Sequence, residues 1–239
     1  MKIINKSNKI LIKRIIDISF KHKLSHIGSC LSILEILDTI YHLRGKSDPV
    51  ILSNGHAGVA LYVILEKYEN KNAEDLYLKH GVHPNRDLSN GIYASTGSLG
   101  QGLPIAVGMA IADKSKDVYC ITSDGECTEG SIWESIRIAS EQKLNNLKVV
   151  VSINGYGAYD KIDVKLLPRR FKAFGCKITE INGHNQEKLR RALRSKSQTK
   201  PLVVLASTRV DRLSFLRGLD AHYKIMTEPE YSLALKELE

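Results

Sequence analysis

The sequence predicts an α/β fold with a mainly parallel sheet and helices on both faces. Short β-branched runs alternate with helical patterns, one run is apolar almost throughout, and no Pro/Gly/Ser-rich linker divides the 239 residues. Strands apolar throughout are typical of parallel sheets, because helices cover both of their faces. The hydrophobic content of 43% is enough for one sizeable core, so we expect a single domain over 1–239.

The individual elements follow from periodicity and turn signals. The predicted strands are 118–122, 147–153, 177–181 and 202–206. The predicted helices are 9–22, 32–41, an apolar helix beginning near Pro104, 131–143 and 186–193. Strands that alternate with helices favour right-handed crossovers, and ligands of such sheets bind beyond the carboxyl ends of the strands.

Composition narrows the functional classes. The chain has 35 basic and 26 acidic residues, but its lysines are dispersed and lack the interleaved aromatic residues of a nucleic-acid surface. The four cysteines form no C-x-x-C pair, which argues against a zinc site or a disulfide framework and favours free thiols in a reducing compartment. With no apolar leader and no membrane-length apolar window, we expect a cytoplasmic protein with no nucleic-acid or membrane partner.

Two predicted strands end in residues suited to a metal ion. Asp124-Gly125 follows the first strand, and Asn154-Gly155 follows the next, 30 positions later. A hard divalent cation that bridges a diphosphate takes carboxylate, amide and carbonyl oxygens. An Asp-Gly pair alone is more often a β-turn, whereas two such strand ends joined by one helical crossover are a more specific pattern.

A glycine-rich loop precedes the apolar helix. Gly97, Gly100 and Gly102 lack side chains, so backbone amides there can approach an anion at the helix N-terminus. A tight turn would explain the same glycines. His26, His56 and His83 lie in loops that contain Gly or Pro rather than on apolar helical faces, and imidazoles there can bind diphosphate or sugar oxygens and exchange protons.

The stretch 123–157 resembles the thiamine-diphosphate motif, which begins Gly-Asp-Gly and closes with an asparagine about thirty residues later. Its Asp124-Gly125-Glu126 and the stretches 129–134 and 143–147 are similar to transketolase in particular. Five more segments are similar to transketolase and occur along the chain in the same order as in that family: 25–29, 52–57, 83–84, 96–102 and 171–175. The resemblance covers nearly the whole chain, and chance does not explain so many ordered matches.

The resemblance implies a thiamine-diphosphate-binding fold and assigns the site residues. Its Mg²⁺ (or Ca²⁺ or Mn²⁺) ligands would be Asp124, Asn154 and the Tyr156 carbonyl. Its thiamine diphosphate contacts would be His56, Gly97, Leu99, Asp124, Gly125, Asn154 and His222. Its catalytic positions would be His26 and His83 in the donor-sugar channel and Glu129 at a subunit contact. Glu129 could instead favour the helix dipole, and His222 could be an exposed C-terminal histidine.

The chain departs from the family pattern in three places. Ser123 replaces the motif's first glycine, and Ser29-Cys30 replaces a Gly-Ser beside His26. Val210 and Arg212 occupy glycine positions of a Thr-x-Lys-Gly-x-Gly segment, and their side chains disfavour positive φ or close backbone approach. The resemblance therefore leaves the local cofactor contact and the placement of His222 open.

The resemblance also implies a partner. The glutamate that activates the cofactor's aminopyrimidine belongs to a pyrimidine-binding domain, which we expect on a separate C-terminal transketolase subunit, because this sequence ends at Glu239. The expected assembly is a heterodimer or heterotetramer, active only when paired, that transfers a two-carbon ketol unit from a ketose phosphate to an aldose phosphate.

The alternatives are a deoxyxylulose-phosphate-synthase-like or specialised ketol- or acyl-transferase, and a scaffold subunit that has lost the cofactor. A nucleic-acid-binding module is a more distant alternative.

Overall fold

A five-stranded parallel sheet forms the centre of the computed structural model, which describes residues 6–157 and 160–239. The strand order is β1-β2-β3-β5-β4, and every neighbouring pair is parallel. The strands are β1 (Val50–Leu52), β2 (Val118–Ser123), β3 (Leu147–Ile153), β4 (Lys177–Asn182) and β5 (Leu202–Ser207). The predicted parallel sheet is confirmed, and its four predicted strands agree with β2 to β5 to within one residue.

Helices cover both faces of the sheet. The helices are α1 (Lys6–Lys21), α2 (Ile27–Leu43), α3 (Gly58–Glu69), α4 (Ala73–His80), α5 (Gly102–Ala112), α6 (Gly130–Glu141), α7 (Leu167–Ala173), α8 (Gln186–Leu193) and α9 (Glu228–Leu238). One core contains α1, α2, α3 and α8, and the other contains α5, α6 and α7. Alternate β3 residues enter the two cores, Val150 one and Val149 and Val151 the other, which explains why this strand is apolar almost throughout.

Two elements differ from the sequence prediction. Strand β1 was missed, because three residues between Pro49 and Ser53 are too short for a periodic signal. Helix α2 begins at Ile27 rather than at Ser32, because its first turn uses a Ser- and Gly-containing stretch that resembles a loop. Both differences affect the site, since β1 leads to His56 and α2 begins directly after His26.

The described residues also bear on the cysteines and on membranes. Cys30, Cys120, Cys127 and Cys176 are all buried free thiols. Within the residues that the structure describes, no helix has the length and apolar character needed to cross a membrane.

Candidate cofactor site at the carboxyl edge of the sheet

The predicted site residues converge at one edge of the sheet. His56 follows β1, Asp124 follows β2 and Asn154 follows β3, and these three strands are neighbours. Because the strands are parallel, their carboxyl ends lie side by side. The sheet order therefore brings these three side chains to the same edge.

Asp124 joins the ends of β2 and β3. Its Oδ2 accepts hydrogen bonds from the backbone N–H groups of Asn154 at 3.0 Å and Gly155 at 2.6 Å, and its Oδ1 accepts one from Gly125 at 3.1 Å. The side chain is fully buried. Burial raises the pKa of Asp124 to about 6, while the hydrogen bonds from Gly155, Gly125 and Asn154 act in the opposite direction.

This arrangement fits a divalent cation. None of the ion pairs found in 6–157 and 160–239 involves Asp124, so its buried charge has no cationic side chain to offset it. Asn154 adds an amide oxygen that accepts from the Tyr156 N–H at 2.9 Å. The described residues contain no cluster of three His, Cys, Asp or Glu side chains that could hold a metal alone. A cation here would therefore need further oxygen ligands from a bound phosphate compound.

The glycine loop is tightly packed against two other loops. Gly97 has φ of 143°, and a Cβ atom there would lie 2.6 Å from the His83 ring. A Cβ on Gly55 would lie 2.7 Å from the backbone nitrogen of Gly97. Side chains at these two positions would force the loops apart. The loop that includes half-buried Leu99 therefore keeps its backbone close to the segment that carries His56.

Three histidine rings form a cluster beside these loops. The ring centroids of His26 and His222 are 4.6 Å apart, those of His56 and His222 are 5.2 Å apart, and those of His26 and His56 are 5.3 Å apart. The backbone N–H of His26 donates to the carbonyl of His222 at 3.0 Å. His26 has φ of 65°, which is uncommon for a residue other than glycine, and this hydrogen bond helps to hold it there.

The clustered imidazoles are neutral at neutral pH. Burial, with smaller contributions from His222 and His83, lowers the pKa of His26 to about 4. Burial, followed by the effects of His222, His26 and His83, lowers the pKa of His56 to about 3. Burial also lowers the pKa of His222. A neutral imidazole offers one donor and one acceptor, so the cluster can hydrogen-bond oxygen-rich ligands and accept protons from them.

The altered segment does not move His222 away from the site. Val210 is buried, and neither Val210 nor Arg212 has positive φ. Arg212 donates to Glu35 of α2 at 2.8 and 2.9 Å, and this ion pair holds the segment against the helix whose first turn follows His26. The ring of His222 packs against those of His26 and His56, so glycines at positions 210 and 212 are not needed to place it in the cluster.

Glu129 lies beside the glycine loop at the start of α6, where a Cβ added to Gly100 would come within 2.8 Å of the Glu129 Cβ. It makes no side-chain cap hydrogen bond to that helix. His83 is exposed next to Gly97. The structure thus places both residues at the edge of the site, and their roles stay predictions.

Three polar residues of the site, Glu126, Ser53 and Asn54, were missed by sequence reasoning. Glu126 is fully buried and accepts from Ser53 Oγ at 2.6 Å, and burial raises its pKa although this hydrogen bond opposes the shift. Asn54 is buried, and its Oδ1 has no hydrogen-bond partner among the described residues. The only signal in the sequence was their position next to Asp124 and His56. Buried polar groups of this kind are usually satisfied, so each points to a structural or binding role.

A known family matches this arrangement. The model of the transketolase thiamine diphosphate-binding domain matches residues 15–222. The chain belongs to the transketolase family.

Relatives of this transketolase-family chain include proteins of similar length. It is 32% identical to an apulose-4-phosphate transketolase subunit of Phocaeicola vulgatus, over 95% of this chain and 90% of that one. It is 33% identical to a 6-deoxy-6-sulfo-D-fructose transketolase subunit of a Clostridium species, over 90% of this chain and 88% of that one.

Longer transketolases match only in part. Human transketolase is 34% identical over 77% of this chain, and the match covers 33% of the human protein. The crystal structure of Campylobacter jejuni transketolase superposes with a TM-score of 0.84 at 25% identity, covering all of this chain and 43% of that one. The fold of this transketolase-family chain thus corresponds to less than half of a longer transketolase.

Proposed function

We propose that this chain is the thiamine-diphosphate-binding subunit of a split transketolase, which transfers a two-carbon ketol unit from a ketose phosphate to an aldose phosphate. The observation that carries the proposal is the junction of Asp124 with Asn154 beside three neutral histidines, in a chain of the transketolase family. Relatives of similar length are named as transketolase subunits, which supports a divided enzyme.

Each group in the site has a proposed role. Asp124, Asn154 and the Tyr156 carbonyl would hold Mg²⁺, or Ca²⁺ or Mn²⁺ in its place, and this proposal is supported by the buried, uncompensated carboxylate of Asp124. The cofactor would contact His56 and His222, Gly97 and Leu99 of the glycine loop, and Gly125 in the turn after β2. When bound, thiamine diphosphate supplies the nucleophilic carbon that takes up and releases the ketol unit.

His26 and His83 would act on the sugar. Because the pKa of His26 is lowered to about 4, its imidazole is neutral and can accept a proton from a donor hydroxyl and later return it. His83 is exposed beside Gly97, at the entrance to the histidine cluster. Replacing either histidine should therefore impair sugar turnover more than it impairs cofactor binding.

We further propose a C-terminal partner subunit that carries the pyrimidine-binding domain, with a heterodimer or heterotetramer as the assembly. Helix α5 supports this proposal. It has no charged residue, yet Ile105, Gly108 and Ile111 are exposed, whereas a solvent-facing helix normally has a polar face. This face begins next to the glycine loop, where the partner would have to reach the cofactor. A cytoplasmic location is supported by the four buried free thiols.

The test of the proposed function combines activity and binding. The chain, its co-expressed partner and the complex are each assayed for ketol transfer, and thiamine diphosphate binding is measured by calorimetry with Mg²⁺. We expect transfer only by the complex. An ordinary enzymatic rate from the chain alone would contradict the divided enzyme, and a complex without cofactor affinity would favour the scaffold alternative.

Asp124→Ala is the decisive variant, because it removes the carboxylate that joins the two strand ends. We expect Mg²⁺-dependent affinity for the cofactor to fall by at least about 100-fold, since a charged ligand of a hard cation is lost. Asp113→Ala is the control, because Asp113 is an exposed carboxylate that follows α5. Normal cofactor affinity in the Asp124 variant would refute the ligand assignment.

A further inference from the structure

Glu126 is a buried carboxyl group for which the proposed cofactor contacts give no role. Its side chain is fully buried, and it lies two residues after Asp124 in the turn that ends β2. None of the ion pairs among residues 6–157 and 160–239 includes it. Its carboxyl oxygens instead accept hydrogen bonds, and the identity of the donors indicates what this side chain does.

The donors to Glu126 belong to three different segments of the chain. Its Oε1 accepts from Ser53 Oγ at 2.6 Å and from the Gly100 N–H at 2.9 Å. Its Oε2 accepts from the Ser123 N–H at 3.1 Å. Ser53 belongs to the loop that carries His56, Gly100 to the glycine loop, and Ser123 to the end of the strand that carries Asp124. One carboxylate thus links the three segments that provide the proposed diphosphate and metal contacts.

Ser123 takes part in the same link. Its Oγ accepts from the Glu126 N–H at 3.2 Å, so backbone and side chain of the two residues bond reciprocally. A glycine at position 123 would keep the backbone donor but would lack this acceptor. The replacement of the motif's first glycine in this chain therefore has a local structural explanation.

Backbone packing alone does not hold the glycine loop at this point. Gly100 has φ of 78°, and its carbonyl oxygen accepts from Ser131 Oγ at 2.9 Å on the side of α6. The Glu126 carboxylate orients the Gly100 amide from the side of the sheet. The contact with Glu126 thus restrains the amide side of a glycine whose carbonyl side is held by Ser131.

We propose that Glu126 is a positioning residue that sets the glycine loop and the loop of His56 against the end of β2 before the cofactor binds. The proposal rests on the proposed function, because it concerns the segments that would hold the cofactor diphosphate. Pre-organisation of these segments would raise the affinity for thiamine diphosphate with no direct contact between Glu126 and the cofactor.

The test begins with Glu126→Ala in the full chain without cofactor. Amide hydrogen exchange is followed at Gly100 and Ser123. We expect exchange at both amides to accelerate by about tenfold or more, because each loses its acceptor. In the complex with its partner, the Kd for thiamine diphosphate with Mg²⁺ should rise by about tenfold or more, because the loops must then be ordered on binding.

Glu126→Gln separates positioning from charge. The glutamine carbonyl can still accept from Ser53 and Gly100, but its NH₂ group would face the Ser123 N–H. We expect protection at Gly100 to be retained, protection at Ser123 to be lost, and cofactor affinity to lie between those of the wild type and Glu126→Ala. Retained protection at Gly100 together with lost protection at Ser123 is the result that only the hydrogen bonds of Glu126 predict.

Asn146→Ala is the matched control for a general loss of stability. Asn146 is buried before β3, at the opposite end of the sheet, and its Nδ2 donates to the carbonyls of Ala110, Asp113 and Lys116 at 3.0 to 3.2 Å. It thus also holds loops through three hydrogen bonds. Its replacement should lower the melting temperature without selective exchange at Gly100 and without a change in cofactor affinity.

Two outcomes would overturn the proposal: unchanged exchange at Gly100 in Glu126→Ala, or indistinguishable effects of Glu126→Ala and Asn146→Ala on exchange. A wild-type complex that binds no thiamine diphosphate would contradict the proposed function instead. The exchange measurements in the cofactor-free chain do not depend on that result.

Discussion

At the residue scale, the site depends on titratable groups held away from their ordinary pKa. Burial is the main cause that lowers the pKa of His26 and of His56, and His222 and His83 add to it, while Asp124 is buried without a cationic side chain. Neutral imidazoles can approach one another closely without charge repulsion, which the ring distances of 4.6 to 5.3 Å require. The cluster is therefore stable only while it stays unprotonated.

This predicts a pH dependence of folding. Because burial lowers the pKa of His56 from 6.5 to about 3, the unfolded chain binds the proton more readily, and the stabilising contribution present above pH 6.5 is lost as the pH falls. Between pH 7 and pH 5 we expect about 2 kcal/mol of unfolding free energy to be lost through His56. Denaturant unfolding of wild type and His56→Gln at both pH values measures this. An equal pH dependence in the two proteins would contradict it.

At the element scale, one buried ion pair fastens the segment between β5 and α9 to helix α2. Glu35 of α2 is 2% exposed and contacts Arg212 at 2.8 Å, His184 Nδ1 at 3.0 Å and Asn8 Nδ2 at 3.1 Å. Burial by itself would raise the pKa of Glu35, but hydrogen bonding and charge from His184 and Arg212 outweigh burial and lower this pKa. An arginine at a position where the family has glycine is thus accommodated by a carboxylate on the neighbouring helix.

The corresponding prediction concerns stability. Arg212→Ala should lower the free energy of unfolding by about 3–5 kcal/mol, because it leaves the Glu35 carboxylate buried with fewer partners. Arg191→Ala is the control, since the paired side chains of Arg191 and Glu187 are 79% and 73% exposed. This substitution should change the free energy of unfolding by less than about 0.5 kcal/mol. Denaturant unfolding at pH 7 measures the free energy of unfolding of both variants. Similar decreases in the two would contradict the prediction that the buried ion pair stabilises the fold more than the exposed one.

At the scale of the whole molecule, the two cores share one sheet, and the site occupies the single edge where the β1, β2 and β3 loops meet. We propose on this basis that residues 1–239 form one domain. The exposed apolar face of α5 lies next to this edge. Partner binding and cofactor binding are therefore expected to be coupled.

The prediction at this scale concerns assembly. Ile105→Asp should weaken association with the co-expressed partner by at least about tenfold, because it buries a charge in an apolar contact. Leu78→Asp is the control, since Leu78 is 66% exposed on α4, away from the α5 face. Sedimentation or calorimetric titration measures association. Equal binding by the wild type and Ile105→Asp would exclude this face, and loss of self-association alone would identify a second copy as its occupant.

Features with a local signal could be predicted from the amino-acid sequence alone. The apolar run of β3 and the β-branched runs of β2, β4 and β5 predicted the sheet, because burial on both faces demands an apolar side chain at almost every position. Asp124 and Asn154 were found because one helical crossover separates two strand ends by a characteristic number of residues. Strand β1 and the first turn of α2 were not predicted, because a segment of three residues and a single Gly-containing turn are too short to show a periodic pattern.

Contacts between residues far apart in the chain became known only from the folded structure. The hydrogen bond from His26 to His222, the ion pair of Arg212 with Glu35 and the link from Glu126 to Ser53 and Gly100 all join residues far apart in the chain. No local pattern specifies such contacts, because they depend on strand order and on how helices pack against the sheet. The resemblance left the placement of His222 open, and the packing of Arg212 against α2 shows how the chain accommodates the altered segment.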